Sequence, residues 1–165
     1  MRKVGLVILT LCTAFLSINI AEAVEDSPSS RATLKGLPGL SVGVPRLSGC
    51  ENFGVHSQAI GAEVDSQLQE AGIKVLGKGQ GPVVLRIIFS CNPLPGTAAI
   101  LFFSIVRIDQ TIPWPNSAND AIVTSWRSGR GLGISPRAKV PEDLRKEIKT
   151  RVNQFIGAWL SVNGE

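Results

Sequence analysis

The chain has 165 residues, 17 Lys and Arg against 13 Asp and Glu, and a formal net charge of +4. So small a basic excess, in a chain without Tyr and with 5% aromatic residues, does not describe a nucleic-acid-binding surface, which joins a strong basic patch to stacking aromatics. One His and three Cys with no recognisable ligand spacing give no metal site.

The first residues set the compartment. Arg2 and Lys3 form a basic start, Val4 to Ile20 is an apolar run thinned by Thr, Ser and Asn, and Ala21–Glu22–Ala23 puts small residues around a cleavage point. This is the pattern of a secretory signal over 1–23, so the expectation is an exported chain, periplasmic or secreted, beginning at Val24. The run falls short of roughly 18 clean apolar residues, which disfavours a retained membrane anchor. Cys12 follows Leu11 and precedes more apolar residues, so it does not read as a lipid-attachment site and leaves with the signal. About 140 residues remain, enough for one domain that buries roughly two-thirds of its unfolded surface. Cys50 and Cys91 survive. In an oxidising compartment the even count fits a disulfide. Two unpaired thiols in the core remain the alternative, because Cys is often buried.

Residues 24–36 are polar and aperiodic and read as a flexible leader. The domain is expected over 37–165. Leu37 to Leu47 alternates Leu40, Val42 and Val44, a first strand that Pro45 ends or holds at an edge. Val55 to Ala71 is a helix, with Ile60, Val64, Leu68 and Ala71 on one stripe. Gly72 and Ile73 follow as a Schellman stop. Ile73 to Leu76 begins a short second strand, so a βαβ unit opens the domain. Val83 to Ser90 and Ala98 to Ile108 are the next strands, the latter too short and too charged (Arg107) to span a membrane. Ala121 to Arg127 is the last strand. Pro141 to Leu160 is the last helix, with Glu142 and Asp143 in its first turn. The order β-α-β-β-β-β-α predicts an α+β fold, a largely antiparallel sheet packed by two helices.

If the third strand is the hairpin partner of the second, Cys50 and Cys91 leave opposite ends of the sheet. A strand of about seven residues spans about 23 Å, whereas bonded Cα atoms lie within about 7 Å. The disulfide and this pairing order exclude each other.

The segments "GLSVGVPRLS", "VDSQLQEAGIKVL", "TSWRSGRGLG" and "FIGAWLSVN" together resemble a group of small exported bacterial α+β proteins of unassigned function. The β-α-β opening is similar, in topology, to the TolB N-terminal domain and to LptE-like envelope assembly proteins. No lipid-attachment Cys and no propeller accompany it. The resemblance implies a binding or assembly role in the envelope and brings no catalytic residues.

The residues themselves propose no catalysis. His56 stands beside Ser57, with Asp65 two turns on. Neighbours at one helix start diverge by about 100°, so no base meets a nucleophile and no third group orients it. Gly129, Gly131 and Gly133 are spaced G-x-G-x-G rather than G-x-G-x-x-G, and two prolines follow where an anion-binding helix would begin. The expectation is a strand-terminating turn in which glycine supplies positive φ. Trp126 beside Arg127 is either a cation–π contact or core.

One pattern survives. Arg86 shares a strand face with Val84 and Ile88, and Arg107 with Leu101, Phe103 and Ile105; Arg127 ends the last strand. A wet antiparallel face should be polar throughout, so something covers this one. The cover is either the last helix or the leader over the apolar half, with the arginine end open, or a partner. Arg86, Ile88, Phe103, Ile105, Arg107 and Arg127 are the candidate binding face. Two occupants are expected: an envelope protein, or a small ligand or lipid carried on the mixed face. No cofactor is implied.

Overall fold

The computed structural model describes residues 25–115 and 117–164. The expected signal sequence and its expected cleavage point lie outside the described residues. The elements in chain order are α1 (Pro28–Ala32), β1 (Leu40–Val42), β2 (Arg46–Ser48), α2 (Ser57–Glu70), β3 (Val75–Leu76), β4 (Val83–Pro93), β5 (Ala99–Ile112), β6 (Ala121–Arg127), β7 (Gly131–Pro136) and α3 (Val140–Asn163). Short 3-10 turns precede α2 and α3. The fold is α+β, a seven-stranded, mostly antiparallel sheet with helices packed on one face.

The β4–β5 hairpin is its axis. Along β4, Val83, Leu85, Ile87, Phe89 and Cys91 are buried while the intervening residues are half-exposed, and β5 repeats the pattern with Ile100, Phe102, Ser104, Val106 and Ile108. The buried face meets Ile60, Val64 and Leu68 of α2 and Leu144, Ile148, Val152 and Phe155 of α3. Trp126 of β6 completes this core, edge-on to Phe155 at 5.3 Å between centroids. It is therefore a core residue rather than a cation–π partner. The stop of α2 forms as expected: Gly72 has φ +77, its N–H reaches the Gln69 carbonyl, and Ile73 N–H reaches that of Leu68.

The expected strand pairing is overturned. β3 does not form a hairpin with β4. β1 lies between them, parallel to both: Ser41 is in register with Leu76 on one side and Val84 on the other. β3 is only two residues long, so the loop at 77–82, with Gly79 and Gly81 at positive φ, returns the chain to the same level on the far side of β1. β2 continues β1 along β4, also parallel, after a one-residue slip at 43–45. That slip brings Leu47 onto the buried face opposite Phe89. β2 and β4 thus finish at the same end of the sheet, with Ser48 opposite Ser90. Cys50 and Cys91 follow within two residues and are bonded, with 5.0 Å between Cα atoms.

Two further expectations change. The leader is not loose: Leu34 is fully buried, and residues 25–36 pack against α3 and β6. Ser27 caps α1 in a capping box with Ser30. Asn163 donates to the Leu34 carbonyl and accepts from Gly36 N–H, so the leader closes over the end of α3. The glycine segment is not a turn either. Gly131–Pro136 is a seventh strand, antiparallel to β5, and none of Gly129, Gly131 and Gly133 has positive φ.

Candidate functional site

All six residues of the candidate face lie on the helix-free side of the sheet. Arg86, Arg107 and Arg127 sit in one cross-strand row, Arg86 opposite Arg107 and Arg107 opposite Arg127. Ile88 is opposite Ile105, and Phe103 lies between Ser90 and Leu132. The face is therefore graded, cationic where β6 pairs and apolar where β7 pairs.

Three arginines side by side would repel one another. The chain answers with Asp109, whose side chain is only 3% exposed. A register shift after Ile108 sets it opposite Thr124. Its Oδ2 accepts from Arg86 Nε at 2.8 Å and Arg107 Nη2 at 3.1 Å, and its Oδ1 from Thr124 Oγ1 at 2.8 Å. Arg107 Nε is buried and meets no acceptor among the described residues. Arg127, 14% exposed, donates through Nη2 to Glu25 of the leader at 3.0 Å. The arginine row is thus partly neutralised and held from within the chain.

This reverses the expected cover. The leader reaches the arginine end, and the apolar end is the open one. There Leu132 and Ile134 are 73% and 65% exposed, beside half-buried Phe103 and Leu101 on β5. Sequence reasoning missed both because the glycines masked the strand. The available signal was the alternation Leu132, Ile134, Pro136 against Gly131, Gly133, Ser135. The glycines serve the opposite face. A Cβ on Gly133 would collide with the Phe102 ring, and one on Gly131 with Ser104 Oγ and Glu147 Oε1.

Other polar groups join the sheet to α3. Between the sheet and α3, Glu147 Oε1 accepts from Ser104 Oγ at 2.9 Å and from Arg151 Nε at 2.7 Å, and Arg151 Nη1 donates to the Gly129 carbonyl. Asp143 accepts from Ser135 Oγ at 2.6 Å. His56 is exposed at the N-cap of α2 and makes no capping bond with its side chain. No three His, Cys, Asp or Glu side chains gather among the described residues. No helix there is long and apolar enough to cross a membrane.

A cleft of about 590 Å³ separates α2 from the β1–β2 junction, lined by Val42, Val44, Pro45, Leu76, Lys78 and Asp65 among others. Asp65 Oδ1 is buried without a partner among the described residues, and burial raises this carboxyl above its ordinary value. No protein-family model matches the chain, and no curated protein is significantly similar to it. The open face is therefore read from its own geometry.

Proposed function

We propose that the chain is a non-catalytic, exported binding or assembly module of the cell envelope, which docks a protein partner on the open face of its sheet. The observation that carries this is the exposure of Leu132 and Ile134 beside Leu101, Phe103 and Ile105 on a face without a helix. Contiguous exposed apolar residues with a polar rim mark interaction sites. The Arg86–Asp109–Arg107 group supplies that rim and orients an anionic group of the partner. Export is supported by the signal-like start and by the Cys50–Cys91 bond, since disulfides persist in oxidising compartments. The resemblance to envelope proteins points the same way.

A second reading, a carrier of a small ligand or lipid, has the cleft beside Asp65 in its favour, whose volume falls in the range of about 300–1,000 Å³ typical of ligand sites.

The two are separated by crosslinking in intact cells, followed by mass spectrometry of proteins and extracted lipids. Leu132→Ser combined with Ile134→Ser is expected to leave the melting temperature almost unchanged, because both side chains are exposed, and to lose the crosslinked protein. Phe103→Ala should cost about 1–2 kcal/mol, below the roughly 3–5 kcal/mol of an interior Phe, and weaken retention as well. A melting drop above about 10 °C for Phe103→Ala would mark the face as interior. Equal protein retention by the double variant, or a lipid that co-purifies and is lost on filling the cleft, would reject protein docking.

A further inference from the structure

We infer that the outer edge of β7 takes up an extended segment of a protein partner as an added strand, apolar at alternate positions and acidic at its flanks. This rests on the docking reading above and specifies its geometry.

The backbone provides the first argument. β7 pairs with β5 alone among the described residues. Arg137 N–H bonds to the Ala98 carbonyl. Antiparallel strands alternate inward and outward pairs, so the register directs residues 131, 133 and 135 toward β5 and turns the N–H and C=O groups of Leu132 and Ile134 outward. Pro136 has no N–H and ends the available edge. Natural edges are usually blunted by charge on the strand, bulges or a covering segment. On β6 the leader meets the edge at Ser125, whose carbonyl accepts from Thr33 Oγ1, and one large apolar side chain, Ile122, is exposed. The edge of β7 carries instead two of the most exposed large apolar side chains of the chain. An added strand would satisfy these groups and lay its alternate side chains beside Leu132 and Ile134, on the open face.

Charge identifies the occupant. From Ala121 to Pro141 the chain has Arg127, Arg130, Arg137 and Lys139 and no acid. Arg130 and Arg137 bracket β7 and are exposed, Arg137 lying over the Phe53 ring at 5.2 Å. A second copy pairing edge to edge about Gly133 would bring the Arg130 of each copy toward the Arg137 of the other. Like charges so placed disfavour self-pairing, and the same two arginines favour a strand flanked by Asp or Glu.

The test uses a short blocked peptide in which valines alternate with threonines between glutamate pairs, titrated into the purified chain and followed by amide chemical shifts. Binding with shifts centred on 131–135 is expected. N-methylation of the valines removes the main-chain donors and should weaken binding by about tenfold or more. Lysine in place of glutamate should weaken it about tenfold, and Arg130→Glu should reverse that preference. In intact cells, Ile134→Pro should lose the crosslinked protein while the fold is kept, because only an outward-facing N–H is removed. The inference is overturned if the peptide does not bind, if the N-methylated peptide binds as well, or if the shifts lie on Arg86 and Phe103 and spare β7. Should Ile134→Pro retain the crosslinked protein while Leu132→Ser with Ile134→Ser loses it, face docking stands and the added strand is rejected. Should neither variant lose it, both fail.

Discussion

Asp26 accepts from Arg31 Nε and Nη2 within the leader at 2.6 and 2.7 Å, and from the Trp126 indole N–H at 3.0 Å, the bond that ties the leader to the body of the protein. The Arg31 hydrogen bond, offset in part by burial and reinforced by Trp126, keeps its carboxyl below the ordinary value of 3.8. A carboxyl lowered on folding stabilises the fold above its unfolded value and loses that contribution as pH falls through its folded value. Melting temperature should therefore fall as pH drops below about 4, and less steeply in Asp26→Asn, which starts lower at neutral pH. Parallel curves for the two proteins would show that the tie contributes nothing. Asp65 has the opposite sign: burial raises its carboxyl, so its charge costs stability at neutral pH. Asp109 shows how one acid decides the character of a face. It pairs with both Arg86 and Arg107, so their part of the row is an ordered ion-paired rim rather than two facing like charges.

At the scale of elements, β7 explains the glycines. Phe102 and the Ser104–Glu147–Arg151 group occupy the space that side chains at 133 and 131 would need. Large residues on β5 and α3 are thus matched by absent ones on β7, as close packing requires. Gly133→Ala should cost about 1–3 kcal/mol as the Phe102 ring is forced aside, measured by urea unfolding. Gly129→Ala is the control and should be nearly neutral, since its Cβ would meet only Arg151 Nη1, at 3.8 Å. Equal effects at the two positions would mean that β7 tolerates side chains and that the glycines answer to something else.

For the whole molecule, the Cys50–Cys91 bond joins the ends of the parallel β2 and β4 across a sequence separation of 41. Closing a loop of that length should contribute about 4 kcal/mol in the chain-entropy view. Reduction, or Cys50→Ala with Cys91→Ala, should then lower the melting temperature by more than about 10 °C without changing the far-ultraviolet spectrum at low temperature. An unchanged melt would mean that the helix–sheet core alone sets stability. The helices pack on the other face of the sheet and the leader reaches only the arginine end of this one, which leaves Leu132 and Ile134 at β7 exposed.

The α+β class, the two long helices, the β4–β5 hairpin and the stop at Gly72 were legible in the amino-acid sequence, because each is a local period or a local turn chemistry. The alternation of β4 and β5 likewise put Arg86, Ile88, Phe103, Ile105 and Arg107 on one face before any contact was known. Three features were decided only in three dimensions. Which strands neighbour β1 depends on a long-range choice that a two-residue β3 leaves unmarked, and the disulfide follows from that choice. The leader is polar in sequence yet ordered, because Leu34, Asp26 and Asn163 find partners far along the chain. And β7 is a strand because β5 offers it a register, while its glycines answer to side chains on other elements, which no local pattern records.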